Sequence, residues 1–560
     1  MDERSKADEA VEFSNRPGRA VFESLDNSYI LNVKFLSFES IPAQAINTSL
    51  QTNQSSQQLH YTPSAMTLTF ITIFWFTVRL AQAGLLKRDP VVNWASVASS
   101  RGDKLPDFSY CGYRNSDSAL PTIGNGNIVL ALPTKATDDI GPSLQQAINQ
   151  AWQNGGGTVR IPAGKFYMTA GIQLYSNVIV RGTGEKDTTI VLKRKPTKPV
   201  FTLGRFGIAP KADFGYRSRI TNSYVPIKAS TVTVKDASGF VVGQTVYIAR
   251  AVTESWVRTN GMSDLVKNGN YQEWIAVGTQ IMAPNIIKTI SGNTITFKIP
   301  LTDNLNSVYM KAEVRAYTPP EPTSEMGIAN LQIEAGADTC SGMRLDYTTC
   351  NYAAVRFASW TVDSWASGLN LTGFNKFFEI QRDAARITIQ DTIMNRNKDI
   401  EGTSLPSDIV LRGSQVLIQD LTQAGLDTAR SYTVSTDAFT PGPNAVTRYE
   451  TDSGDQKFEP FERWSTGLLA EDSSAPTNFG NRSTTGRGWA VNAGVGWNLR
   501  SDVNFESPPL GINWCVGCGS PGDSNGNATL IQSGHQVKPR SLFAAQLQAR
   551  GVNWYDRGGD

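Results

Sequence analysis

The stretch that decides the fold runs from Asp138 to Ile190, DDIGPSLQQAINQAWQNGGGTVRIPAGKFYMTAGIQLYSNVIVRGTGEKDTTI. Leu144, Ala147, Ile148 and Ala151 recur at helical spacing, so it opens with a short amphipathic helix, which Asn154-Gly155-Gly156-Gly157 ends. Strands follow at once. TVRIP, FYMTAG, IQLY, NVIVRG and TTIVLK are runs of about four to six residues, separated by Gly, Pro, Asn or Ser. With no further helix between them, such strands predict coils stacked on one another rather than a doubly wound sheet.

Outward from this stretch the pattern first breaks and then returns. Over 196–320, STVTVKDASGFVVGQTVYIAR and NIIKTISGNTITFKIPL alternate around Gly243 and the Gly292-Asn293 turn, which predicts a small β-rich insertion carried on the coils. Its Trp256 and Trp274 are assigned either to a flap over a cleft or to the insertion's own core. From Met326 short strands resume in GIANLQIEA, YAAVRFASWTVDSW, GFNKFFEI, ARITIQDTIMNR, DIVLRGSQVLIQDLTQAG and RSYTVSTDAF. ITIQDTI and VLIQDLT lie 29 residues apart with one face pattern, as a rung with its loop would. The closing SLFAAQLQARG is helical, with Leu542, Ala545 and Leu547 placed to shut the far end. The expected fold is all-β: a right-handed parallel β-helix with an N-terminal cap helix and a small inserted β domain. Its parts are a lead-in over 84–137, the cap and first coils over 138–195, the insertion, and the remaining coils with their closure over 321–560.

The helix, GGGTVRIPAGKFY and SNVIVRGTG resemble the N-terminal cap and first rungs of the pectate-lyase-like superfamily of secreted parallel β-helix proteins. ERWSTGLLAEDSS, RGWAVNAGVGWNL, ESPPLGINWCVGC and VKPRSLFAAQLQARG resemble the C-terminal half of its members, so the likeness covers most of the chain after about residue 105. It implies a helix that plugs the open coil, which would otherwise expose its core and a row of unpaired strand groups. It implies a polysaccharide partner too. The chemistry does not carry over, because members have histidines near the positions of Phe461 or Glu462 and of Arg487, and this chain has none there.

Composition narrows the partners. With 560 residues, 48 glycines and 18% charged residues, the chain is an ordered, loop-rich β protein. Its formal net charge of +2 points to neither nucleic acid nor an anionic membrane. Met66–Ala83 carries an apolar run ending in Ala81-Gln82-Ala83 and reads as a signal peptide, with 1–65 an upstream extension and the mature chain starting at or soon after Gly84. The expected location is extracellular, with no membrane in the mature form, as a monomer or a coil-stacked oligomer. All five cysteines follow the proposed cleavage point; Cys340 with Cys350 and Cys515 with Cys518 are the closest pairs, leaving Cys111 over. Asn370, Asn481 and Asn527 are glycosylation sequons.

Histidine chemistry is excluded in practice, since His60 precedes the signal segment and His535 sits in a terminal loop. Glycosidic cleavage then needs two carboxylates, or a base with a cation on a uronate. Asp391 and Asp420 end equivalent strands and are read as turn residues where the coil bends. Glu379, Arg382, Asp383 and Arg386 form a charged cluster between strands. The densest polar stretch, Thr436 to Trp464, supplies the expected site: Asp437, Glu450, Asp452 and Glu462 as catalytic acids, Arg448 and Arg463 on a uronate, and Trp464 and Trp489 stacked on sugar rings. Arg448 and Glu450 are assigned to one strand face. Ca²⁺ is expected if acids such as Asp452 form a carboxylate clamp. Three functions remain: a polysaccharide lyase acting on a uronate-containing chain, a glycoside hydrolase with paired carboxylates, and a non-catalytic glycan-binding β-helix.

Overall fold

A computed structural model describes residues 89–560, apart from 122–127, 133–134, 136, 194–197, 208, 337–351, 400–404, 454, 520–526 and 553–560. The signal segment, Cys340 and Cys350 lie outside the described residues.

The helical periodicity produces α1 (Gly141–Gln153), whose Leu144, Ala147, Ile148 and Ala151 enter one core with Val159, Ile161, Met168 and Val180 of the first coils. Asp139 accepts the Gly141 amide at 2.8 Å, and Pro142 brings a preset φ to the first turn. Beyond the helix, Gly156 (φ 124°) presses its backbone against Asn177, whose carbonyl oxygen a Cβ would meet at 2.7 Å. Any side chain there would open the first coil.

Parallel strands then stack in the order β1 (Val178–Arg181), β2 (Gly327–Ala335), β3 (Thr361–Thr372), β4 (Ala385–Arg396), β5 (Leu417–Gly425), β6 (Asn444–Thr451), β7 (Leu468–Glu471), β8 (Val495–Trp497) and β9 (Trp514–Val516). A second parallel sheet runs through Ile172–Leu174, Phe201–Leu203, Ala353–Phe357, Lys376–Ile380, Ser407–Leu411, Ser431–Thr436 and Gln456–Lys457. The chain alternates between the two sheets, so each coil has three faces: the front of the long strand, its back beyond a bend, and the second sheet. The crossovers are right-handed, the hand that twisted parallel strands impose. Val180, Ile328, Ala366, Ile389, Ile418, Val446 and Ala470 stand in one register column and are fully buried, forming the spine of the core.

The corners are made by single left-handed residues. Asn330, Gly368, Asp391, Asp420, Arg448, Asp472, Asn498 and Gly517 hold the same place in successive coils, all with φ between 45° and 68°. A second column leads into the first face through Asn177, Glu325, Asp363, Arg386 and Gln415, with φ between 45° and 66°. Asn, Asp and Gly tolerate this conformation best, and they supply most of the first column. Asp391 and Asp420 thus stand in register at the bend of the coil.

The chain leaves the coils after Phe201–Leu203 and rejoins them at β2. Between lies a six-stranded antiparallel sheet with its own core of Val232, Val246, Ile248, Ile295 and Val314. Trp256, in α2 (Glu254–Thr259), stacks on Trp274 at 5.0 Å, and Trp464 of the coils meets them edge-on at 4.6 and 5.9 Å. These tryptophans fill the joint between insertion and coils and form no flap over a cleft.

The closing helix departs from expectation. α3 (Leu542–Ala549) lies on the first face instead of shutting the far end: Leu542, Phe543 and Leu547 share a core with Phe108 and with Leu417, Ala445, Leu469, Val495 and Trp514, the outward column of β5–β9. That column is apolar and needs a cover. Gln546 locks the cover by accepting the Phe108 amide and donating to the Pro106 carbonyl, both at 2.8 Å. Cys515 and Cys518 are joined in a disulfide, and Cys111 is a buried thiol.

Candidate functional site

On the second sheet Val355, Phe378, Ile380, Ile409 and Leu411 point into the core, which sends Arg356 and its register partner Glu379 outward. Glu379 is nevertheless buried, because cations close over it. It accepts from Arg356 Nε at 2.7 Å and Arg412 Nη1 at 2.6 Å, and Lys376 Nζ lies 3.5 Å away. Burial by itself would raise its pKa; Lys376, Arg356 and Arg412 overcome that and hold the carboxyl at about 2. Burial in turn lowers the pKa of Lys376.

The network continues along the face. Arg412 Nε donates to Asp437 Oδ2 at 3.1 Å, and Arg382 lies 3.6 Å from the same oxygen. The Glu462 amide donates to the Thr436 carbonyl at 3.2 Å, which sets Glu462 beside Asp437 from the following coil. Glu462 pairs with Arg487, whose guanidinium lies 3.6 Å from the Phe461 ring centre. Arg482 pairs with Glu459 at 2.7 Å and reaches the rings of Phe461 and Tyr432, at 5.1 and 5.7 Å. In this belt six cations (Arg356, Lys376, Arg382, Arg412, Arg482, Arg487) face four carboxylates (Glu379, Asp437, Glu459, Glu462), an excess of two positive charges. Such a surface can seat anionic groups, and its aromatic rings offer flat contacts between them.

Of the residues expected from sequence, Asp437 and Glu462 come together here. The others do not. Arg448 is a corner residue on another face, held to Asp420 by two bonds of 2.6 and 2.8 Å, and lines a groove of about 600 Å³ with Thr388, Gln390, Asp391 and Gln419. Glu450 lies beyond that corner and pairs with Arg500, which also holds Asp472 at 2.8 Å. Arg448 and Glu450 therefore do not share a face, since the left-handed corner interrupts the strand's alternation. Asp452 is exposed past the end of β6. Arg463 is half-buried, which lowers its pKa, with Glu273 as the nearby opposing charge. Trp464 is 1% exposed and donates its indole N–H to Asp303 at 3.2 Å; Trp489 is buried and donates to the Asn260 carbonyl at 2.9 Å. Neither presents a ring to a sugar, because both are spent on the joint with the insertion. Nor do the acids form a calcium clamp: among the described residues no three Asp, Glu, His or Cys side chains converge as a metal site.

The scatter has a simple cause. Successive corner residues Asp420, Arg448 and Asp472 lie 28 and 24 positions apart, so the stretch 436–464 is one full turn and spreads its polar residues around every face. A site on a solenoid collects the same position from successive turns. Arg356 and Glu379, 23 residues apart and in register, are such a pair; Arg412 joins them from the next turn, two positions beyond Val410, the register partner of Glu379, and only the inward alternation of these strands hinted at it. The expected cluster of Glu379, Arg382, Asp383 and Arg386 is likewise divided, with Glu379 and Arg382 in the belt and Arg386 paired with Asp363 on the first face.

Fold and site define a right-handed parallel β-helix protein with a charged belt on one face. No protein-family model matches the sequence, and no curated protein matches it significantly. Among solved structures the chain is similar to the tailspike of Acinetobacter baumannii bacteriophage AP22, solved with A. baumannii capsular saccharide, at TM-score 0.31 and 11% identity over 73% of this chain and 76% of that one. It is similar to the A-module of Azotobacter vinelandii mannuronan C-5 epimerase AlgE6, at 0.29 and 10%, over 74% of this chain and 100% of that one. The tailspike of E. coli bacteriophage HK620 in complex with a pentasaccharide gives 0.34 and 10%, over 72% and 58%. The fold assignment rests on the strand register described above.

Proposed function

We propose that the protein binds a uronate-containing polysaccharide along the third face and cleaves it by β-elimination. The observation that carries this reading is the convergence of Arg356, Lys376 and Arg412 on the single carboxylate of Glu379, within a belt of net positive charge. A uronate carboxylate seated against Arg412 and Arg382 is neutralised, which acidifies the adjacent C5 proton. Lys376, whose pKa burial lowers, is the belt cation that gives up a proton most readily and so is assigned as base. It takes the C5 proton, the C–H electrons form the C4–C5 double bond, and the C4–O bond breaks with its electrons passing to the leaving oxygen, which is protonated by water. The same reading takes Met66–Ala83 as a secretion signal, which N-terminal sequencing of secreted material would test.

The test is incubation with polygalacturonate, alginate and neutral glucans, reading ultraviolet absorbance of unsaturated uronate together with reducing ends. Unsaturated product from an acidic chain is expected, and Arg412→Ala should lower its formation by at least ~100-fold. Reducing ends without unsaturation would replace elimination by hydrolysis. For that reading the favouring observation is that Asp437 and Glu462 come from neighbouring coils, whose spacing of about 4.8 Å suits two carboxylates on one bond.

A further inference from the structure

We propose that the cleft between the inserted sheet and the first face binds an uncharged pyranose ring, at a site separate from the belt. The cleft measures about 600 Å³, within the range of small-ligand sites. Its aromatic lining is the insertion's Tyr247 and Tyr317, stacked at 4.1 Å, joined by Trp360, whose ring centre lies 6.5 Å from that of Tyr317 and whose indole N–H is fixed on the Pro210 carbonyl at 2.8 Å. Pyranose rings present apolar C–H faces that pack on such a lining.

The polar groups at the base select the charge of the ligand. Arg386 already donates two bonds to Asp363, of 2.7 and 2.9 Å, and Arg114 at the rim is held by Glu325 at 2.8 Å, while Lys298 is exposed to solvent. Asp383 is faced by the Tyr247 hydroxyl at 3.5 Å and by the charge of Arg382, and burial holds its carboxyl above the usual range. The cleft therefore offers acceptors to hydroxyl donors and no uncommitted arginine to a carboxylate. Of the lining cations only the solvated Lys298 is left for a uronate.

The surroundings add room for a chain. Asp117 and Ser118 line both this cleft and the adjoining groove over Gln390 and Gln419. In that groove Gln419, 6% exposed, carries an Oε1 with no hydrogen-bond partner, a second acceptor that lacks a donor. The inference does not depend on the elimination reading, because no belt residue lines the cleft.

The test titrates the full chain with cello-, manno- and galacto-oligosaccharides and with oligogalacturonate, by calorimetry and saturation-transfer NMR. At least one neutral oligosaccharide should bind. Trp360→Ala should weaken it at least about tenfold and Asp383→Asn several-fold, while Arg412→Ala leaves it unchanged. Should Trp360→Ala fail to fold, the isosteric Asp383→Asn and Tyr317→Phe carry the test. Absence of binding by all three neutral series, binding indifferent to every cleft variant, or displacement of the neutral ligand by oligogalacturonate would each overturn the proposal. Loss of elimination in Arg412→Ala bears on the belt alone.

Discussion

Two glutamates, each almost sealed from water, sit on different faces of the same coils and hold their protons oppositely. Glu379 on the third face meets three cations, and its pKa falls to about 2. Glu471 on the first face, under α3, accepts from the Ser541 hydroxyl at 2.5 Å and from the Leu542 and Phe543 amides at 2.6 and 3.1 Å. Burial dominates there and lifts its carboxyl to about 7, with the neutral donors and the more distant Arg448 offsetting only part of the rise. Both are buried, Glu471 the more completely; what chiefly differs is the charge that neighbouring coils bring. The third face stacks cations and stays a charged surface, whereas the downstream first face stacks apolar residues and becomes a floor for the chain's own helix.

The sharpest way to break this comparison is Glu379→Ala. It leaves Arg356, Lys376 and Arg412 crowded without their counter-charge, and should lower unfolding stability by about 3–5 kcal/mol in denaturant titration. A loss below about 1 kcal/mol would mean that solvent screens the cations well enough for them not to need Glu379 as their counter-charge.

The pH dependence comes next in size. Glu379 is depressed in the folded chain, so its contribution is present above about pH 4.5 and is lost as pH falls toward 2. Glu471 is raised, so the folded chain keeps a proton that the unfolded chain releases, and stability falls as pH rises from about 4.5 to 7. Each limb amounts to roughly 3 kcal/mol. Glu471→Gln should flatten the upper limb alone; an unchanged slope between pH 4.5 and 7 would show that Glu471 is ionised beneath α3.

The corner column shared by both faces gives the smaller effects. Gly368→Ala places a side chain at φ 63° with Asn330 Oδ1 2.5 Å from the new Cβ, and should cost about 1–2 kcal/mol. Asp391→Asn, which keeps a left-handed-tolerant residue able to accept from Gln390, should cost less than about 1 kcal/mol in thermal melting and leave elimination intact. Loss of activity in a stable Asp391→Asn protein would move the catalytic site to the first face.

Much of the fold was legible in the chain. The spacing of Leu144, Ala147, Ile148 and Ala151 predicted a helix, and the punctuated runs after it predicted coils. The repeat of ITIQD and VLIQD predicted matched corner aspartates. The destination of SLFAAQLQARG was not legible: its apolar residues call for a partner, but whether that is the open end or the outer face depends on Leu469, Val495 and Trp514 pointing outward, which only the strand register reveals. The site was half legible. Asp437 and Glu462 were named, but Arg356 and Arg412, which complete their surroundings, lie one to four turns away in sequence.

What the sequence determined by itself is the local rule of each turn: strand, punctuation, strand, with a residue that accepts a left-handed φ at the bend. That rule rests on short-range sterics and alternation, which act between near neighbours and so can be read along the chain. Which side chains share a surface was decided only by stacking. The number of residues per turn varies, from 19 between Asn498 and Gly517 to 38 between Asn330 and Gly368, as loops lengthen. Position along the chain therefore does not convert into position around the coil. Trp464 lies one residue beyond Arg463 and two beyond Glu462, yet it is buried against the insertion while Glu462 pairs with Arg487 on the belt, because burial and charge answer to the face a residue occupies and the three-dimensional register alone assigns that face.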